Sequence, residues 1–137
     1  MPLLLVRHAW AGSRDEWEGD DLLRPLDKRG RRQAQELVAL LAEFRIEAIL
    51  TSPAVRCLQT VEPLARARRL DLEVRLELRE DRQHDEGVPL VTNVVRSDVV
   101  VCGHGGLERA VVDPPSWSKG AVFVVGADRR VERVLTA

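Results

Sequence analysis

Short apolar runs separated by helix-patterned segments constrain this chain more than any other feature. They are LLLV at 3–6, EAIL at 47–50, LDLEVRL at 70–76, DVVVC at 98–102, AVFVV at 121–125 and RVERVL at 130–135. The first is unbroken and ends in charge, as expected of a strand buried on both faces. Strands alternating with helices build a mostly parallel sheet with helices on both faces, a three-layer αβα sandwich. Only a few residues around Gly126, Ala127 and Asp128 separate the last two runs. They read as a hairpin that makes one edge of the sheet antiparallel.

The helices between these runs are marked unevenly. Asp27 can cap a first helix, whose buried face is Ala34, Leu37, Val38 and Leu41 at the spacing of one helical stripe. Lys28, Arg29, Arg31 and Arg32 crowd its opening turn, where the helix dipole disfavours cations. They read as a solvated charged face, with attraction of an anion as the other reading. A second helix is expected in TSPAVRCLQTVEPLA, with Ser52 as cap and Pro53 at the first helical position, and with Pro63 kinking or ending it. DRQHDEGVPLVTNVVRS reads as a loop followed by a short helix, and GGLERAVV as a last short helix stopped by DPPSWSKG. No repeat, low-complexity tract or linker divides the chain, so residues 1–137 are expected to form a single domain.

At 137 residues and 45% hydrophobic content, such a domain buries roughly two thirds of its unfolded surface and needs no staple. Cys57 and Cys102 are too few for a disulfide framework and lack metal-ligand spacing, so both read as small packing residues in a reducing compartment. The opening apolar run stops at Arg7, short of the roughly 7 to 15 residues of a signal-peptide core. No segment approaches the roughly 20 apolar residues of a membrane span. A cytoplasmic protein with no membrane partner is therefore expected. With 21 Lys and Arg against 22 Asp and Glu, a general nucleic-acid-binding surface is not expected, although a local basic pocket is compatible with that balance.

Ligands of open α/β sheets collect beyond the carboxyl ends of the strands. Three such ends carry residues suited to an anion: Arg7 and His8 after the first run; Thr51, Ser52 and then Arg56 after the second; and Gly103-His104-Gly105-Gly106 after the fourth. Each piece alone reads as structural as readily as functional. Parallel strands, however, bring all three ends to one crevice, and Gly103 and Gly105 let backbone approach a ligand closely around His104.

Phosphoryl transfer fits this set. Guanidinium forks from Arg7 and Arg56 match the spread charge of a phosphoryl group. A neutral imidazole is a competent nucleophile near pH 7, and a second imidazole can donate to a phosphoryl oxygen in the transition state. No HExxH, Cys-His cluster or calcium-loop pattern is present, so neither a metal nor another cofactor is invoked. The acidic stretch DEWEGDD reads as a solvated loop, with a cation site as the other reading.

LLLVRHAWAG, RPLDKRGRRQAQEL, SPAVRCLQT and VVCGHGGLERAVV resemble, in order and spacing, the histidine phosphatase superfamily with its phosphoglycerate-mutase-like fold. The small size and the Arg-Pro-Leu element resemble the SixA-type phosphohistidine phosphatase branch. AGSRDEWEGDDLLRPLDKRG and RCLQTVEPLA are similar to the phosphatase-like domain that follows a MutT-type Nudix domain in some actinobacterial proteins, and the chain reads as a freestanding relative of that domain. The resemblance implies His8 as nucleophile, with Arg7, Arg56 and His104 forming the phosphate pocket. It implies an acid just past the third strand, for which Leu78-Arg79-Glu80 offers Glu80 and an alternative register offers Glu77. Ala9 stands where the commonest family sequence has Gly, a departure that bears on the subfamily.

The reaction so implied is a metal-independent phosphatase, in which His8 attacks phosphorus while Glu80, kept in its acid form by its pocket, protonates the leaving group and later activates water. The expected substrate is a protein phosphohistidine or a small phosphorylated compound. The Nudix-fused relatives imply instead a nucleotide phosphatase acting on nucleoside diphosphates, and Trp10 or Trp17 could stack on a base, against the plainer reading that both pack their loop. A non-catalytic phosphate-binding module is a third alternative. A mutase would need more chain to enclose its substrate, so hydrolysis is preferred.

Overall fold

The computed structural model describes residues 2–95 and 97–136. Six strands form one sheet in the order β3-β2-β4-β1-β5-β6, with β1 at Leu3–Arg7, β2 at Ala48–Thr51, β3 at Leu72–Val74, β4 at Val99–Gly103, β5 at Val122–Val125 and β6 at Val131–Leu135. The pairs β1/β4, β2/β4 and β2/β3 are parallel, while β1/β5 and the β5/β6 hairpin are antiparallel. This is the three-layer, mostly parallel arrangement expected, with its antiparallel edge.

Alternation along the central strands divides the core in two. Leu4, Val6, Val100 and Cys102 face α1 (Lys28–Leu40) and α2 (Val55–Arg68), meeting Leu37, Leu41, Val61 and Leu64. Leu3, Leu5, Val99 and Val101 face the other layer, built from α3 (Val88–Asn93) and short turns that contribute Leu78, Val91, Leu107 and Trp117. Both cysteines are free and buried. No helix among the described residues is long and apolar enough to cross a membrane.

Asp27 caps α1 as expected, its carboxylate accepting from the Gly30 amide at 2.8 Å. A last short helix is present at Leu107–Ala110, while details of the second and third helix signals need correction. Ser52 is not the cap of α2: the helix begins at Val55 with Ala54 as its N-cap residue. Nor does Pro63 end it; α2 continues to Arg68, because Leu64 and Ala65 bury their side chains and outweigh the one backbone donor that proline lacks. The expected loop after residue 80 is a π-type turn at Gln83–Gly87 leading into α3. Arg96, in the same stretch, lies outside the described residues.

Candidate active site

The parallel register carries the three strand ends to one place. Arg7 is opposite Gly103, and Thr51 is opposite Cys102. The ladder runs one residue beyond the strands, with His8 N–H donating to the Gly103 carbonyl and Ser52 N–H to the Cys102 carbonyl, both at 3.1 Å. Consequently His8 and His104, 96 positions apart in sequence, have ring centroids 5.5 Å apart.

His8 is held by its own chain. Its Nδ1 lies 2.8 Å from the carbonyl oxygen of Ala9; since a carbonyl only accepts, Nδ1 carries the proton and Nε2 keeps its lone pair. Burial pushes the His8 pKa down from 6.5 to about 3, against the Ala9 hydrogen bond and with help from His104, Arg56 and Arg7. Ala9 in turn donates its amide to Thr60 Oγ1 at 2.9 Å, and that hydroxyl donates to the Arg56 carbonyl at 2.7 Å. The methyl of Ala9 packs with Ala11, Leu26 and Ala34, so its replacement of glycine costs no space.

Two guanidinium groups await an acceptor. Arg7 Nη1 donates to the Trp117 carbonyl at 2.7 Å, and Arg56 Nη1 to the Asp21 carbonyl at 2.8 Å. The Nε atoms of both are buried with no hydrogen-bond partner among the described residues. A buried unpaired donor on a cation is costly, and an oxyanion between the two would relieve it. Arg7, His8, Gly12, Arg14, Arg24, Glu80, Gly105 and Lys119 line a cavity of about 310 Å³. Arg56 and Glu80 line a second of about 310 Å³ beside it, so Glu80 stands at their common border.

His104 lines neither cavity. It is fully buried, its Nδ1 3.4 Å from Arg56 Nη2 and its Nε2 2.9 Å from Ser52 Oγ. Gln83 clamps its backbone, accepting from the His104 amide at 3.2 Å and donating to the carbonyls of His104 at 3.2 Å and Gly105 at 2.9 Å. A single π-type turn often marks a functional site, and here it delivers this amide.

The two candidate acids separate. Glu80 meets Arg14 Nη2 at 2.8 Å and Arg56 Nη2 at 3.3 Å. Glu77 pairs instead with Arg75 at 2.7 Å, and lines neither cavity. Glu80 is not enclosed: its side chain is 41% exposed and faces two guanidinium groups.

Several site residues escaped the sequence reading. Asp21, within the acidic stretch read as solvated, contacts Arg14, Arg24 and Arg56 at 3.5, 2.9 and 3.2 Å. Burial pushes its carboxyl up, but Arg24, Arg56 and Arg14 hold it below its usual value. Arg24, the arginine of the Arg-Pro-Leu element, is buried and donates to the Ala11 carbonyl at 2.6 Å. Lys119 sits over the Trp10 ring at 4.5 Å, with Arg29 over the same ring at 4.3 Å. Both tryptophans engage their own surroundings, Trp17 donating to the Asp20 carbonyl at 3.0 Å. Lys28, Arg29, Arg31 and Arg32 do not line the site.

Residues 3–91 match the family model described as histidine phosphatase superfamily (branch 1). The chain belongs to that superfamily. The matched segment includes Arg7, His8, Arg56 and Glu80, whereas His104 lies beyond it and joins them through the sheet register. The chain is 54% identical over 63 residues to the 8-oxo-(d)GTP phosphatase of Mycolicibacterium smegmatis, a match covering 46% of this chain and 20% of that one. The matched segment therefore spans about a fifth of the length of that relative. Its fold is that of the protein histidine phosphatase SixA, solved with tungstate (TM-score 0.79, 21% identity, 99% of this chain and 97% of the other). A SixA-type protein from Agrobacterium tumefaciens is equally similar (TM-score 0.81, 24% identity, 98% and 97%).

Proposed function

We propose that residues 1–137 act as one catalytic unit that hydrolyses a phosphoric ester or phosphoramidate through a phosphohistidine on His8. The observation that carries this reading is the neutral His8 ring, with its Nε2 lone pair free, in a cavity wall shared with Arg7, while Arg7 and Arg56 both have a buried Nε without an acceptor. The guanidinium groups and His104 hold the phosphoryl oxygens. Nε2 of His8 forms a bond to phosphorus as the bond to the leaving oxygen or nitrogen breaks.

The leaving atom takes its proton from Glu80. Arrival of the phosphoryl dianion draws Arg56 to itself and leaves Glu80 beside the leaving atom. The carboxylate left behind then removes a proton from water as water attacks phosphorus, which restores His8 and regenerates the acid. His8 is presented at the end of a buried strand, with little positional freedom to lose on the way to in-line attack.

The substrate on this reading is a protein phosphohistidine or a small phosphorylated compound, for which the open cavity leaves room. A nucleotide is the second reading, supported by the segment similar to the 8-oxo-(d)GTP phosphatase and by Arg14, Arg24 and Lys119 in the cavity wall. The test is turnover of an aryl phosphate in EDTA by wild type and His8→Ala, followed by a panel of nucleoside diphosphates, sugar phosphates and a phosphohistidine-bearing protein. Wild-type turnover that is lost in the variant is expected. Activity retained by His8→Ala, or lost on chelation, overturns the mechanism; phosphate binding without turnover of any ester makes the protein a binding module.

A further inference from the structure

Thr60 is fully buried in α2, four residues after Arg56, and lines neither cavity. We propose that it is a positioning residue for the nucleophile: its hydroxyl ties the Ala9 backbone, which holds the His8 ring, to the backbone of Arg56, and so fixes where the attacking nitrogen stands relative to the phosphoryl site. This rests on the reading of His8 as the nucleophile.

The partners set the direction of both bonds. An amide N–H only donates and a carbonyl only accepts, so Thr60 Oγ1 accepts from Ala9 at 2.9 Å and donates to the Arg56 carbonyl at 2.7 Å. The helix itself gains nothing from this hydroxyl, since a bond back to the carbonyl four residues earlier slightly weakens a helix. Cys57, Val61 and Leu64 around it belong to the apolar core, where an aliphatic side chain would serve packing better. The Ala9 amide explains the choice. Ala9 is fully buried, and its N–H has no other partner among the described residues.

The backbone on both sides of Ala9 decides where the ring sits. Before it, the His8 carbonyl accepts from the Gly120 amide at 3.1 Å. After it, the Ala9 carbonyl accepts from His8 Nδ1 at 2.8 Å, and the Trp10 amide donates to Gln33 Oε1 at 3.1 Å. With the Thr60 hydroxyl in place, every polar atom of these two peptide groups is engaged, and neither can rotate without losing a bond. Without it, the peptide between His8 and Ala9 keeps only its carbonyl bond, and a tilt there swings the Ala9 carbonyl and with it His8 Nε2. At its other end the hydroxyl grips the residue whose Nε is an unpaired buried donor. One side chain thus bridges the segment of the nucleophile, 51 positions away in sequence, and the helix that carries Arg56.

The experiment measures turnover of an aryl phosphate, inhibition by inorganic phosphate and hydrogen exchange at the Ala9 amide in the full chain. Thr60→Val removes the hydroxyl at nearly constant shape. It should lower kcat by roughly tenfold, as misplacement of a reacting group does, with KM and phosphate inhibition within about twofold of wild type because both guanidinium groups remain. Thr60→Ser should restore kcat. Thr92→Val removes from α3 a hydroxyl that makes the same kind of bond, to Val88 at 3.0 Å, and should keep wild-type kcat. The Ala9 amide should exchange slowly in wild type and in Thr60→Ser, and faster in Thr60→Val. Rapid exchange at Ala9 in wild type overturns the proposal, and that measurement stands even if Thr60→Val fails to fold. Wild-type kcat in Thr60→Val overturns it too, as does a kcat loss matched by equally weakened phosphate inhibition, which would place the effect on the arginines. Activity retained by His8→Ala would end the phosphohistidine reading instead, and the exchange at Ala9, taken without substrate, is separate from that outcome.

Discussion

His8 and His104 stand 5.5 Å apart between ring centroids, with their planes at 64°, and their ring nitrogens meet different partners. His8 gives Nδ1 to the Ala9 carbonyl; His104 gives Nε2 to Ser52. His8 Nε2 is thereby left with a free lone pair, whereas His104 Nδ1 faces the Arg56 guanidinium at 3.4 Å. On the proposed mechanism His8 is the ring whose free nitrogen bonds phosphorus.

Burial of His8 carries a pH signature. Its pKa falls from 6.5 to about 3 on folding, so between these values the unfolded chain binds a proton that the folded one does not. Stability should fall as pH drops below 6.5, at up to about 1.4 kcal/mol per pH unit from this group, and be unaffected by it at higher pH. Urea unfolding of wild type and His8→Asn from pH 4.5 to 7.5 measures the difference, in which the contributions of the carboxylates cancel. Equal slopes would mean that His8 is not desolvated as described.

Glu80 and Glu77 are three residues apart and should behave differently. Glu80→Gln should lower kcat by about a hundredfold for an alkyl phosphate, whose leaving oxygen needs a proton, and by less for a nitrophenyl phosphate, whose leaving group does not. Glu77→Gln breaks only the pair with Arg75 at the surface and should keep wild-type kcat on both substrates. A uniform loss on both substrates in Glu80→Gln would argue that Glu80 only positions Arg14 and Arg56.

The framework of this site was legible in the sequence because it depends on short-range signals. Leu3 to Val6 can only be a doubly buried strand, and a parallel partner necessarily brings Gly103 and His104 beside Arg7 and His8. What escaped depends on contacts no local pattern encodes. Asp21 looks like one more loop acid until α2 carries Arg56 to it. The surroundings of Glu80 follow from Arg14, 66 positions away, folding back across the cavity. Ser52 before Pro53 has the pattern of a helix start, and only the position of His104 shows why a hydroxyl is there. Pro63 breaks isolated helices, but the buried face of α2 holds this one together.

Gly30 should reverse the usual rule for helices. Replacing glycine by alanine inside a helix ordinarily stabilises by about 1 kcal/mol. Here the first turn of α1 runs against the backbone after His8, and a Cβ on Gly30 would overlap the Trp10 carbonyl. That carbonyl accepts from the Asp27 amide at 3.0 Å, so it cannot withdraw without disturbing the cap. Gly30→Ala should destabilise by roughly 1 to 3 kcal/mol, as overpacking does, read from urea unfolding. A stabilised variant would show that α1 and the loop can separate at no cost.

Gly105 separates the pocket from the fold. It is exposed in the cavity wall, where a Cβ would lie 2.9 Å from Arg7 Nη2 and 3.1 Å from Arg7 Cζ. The backbone has room, since only the end of a flexible side chain is met; what must move is the guanidinium that, on the proposed mechanism, holds the anion. Gly105→Ala should therefore leave the unfolding midpoint nearly unchanged while weakening inhibition by inorganic phosphate roughly tenfold, as loss of one charge-assisted contact does. Arg7→Lys should weaken it too, because an ammonium cannot reproduce the fork that both spans to the Trp117 carbonyl and offers Nε. If Gly105→Ala binds phosphate as wild type does, Arg7 has another position from which it serves the site, and the rigid placement argued for it is wrong.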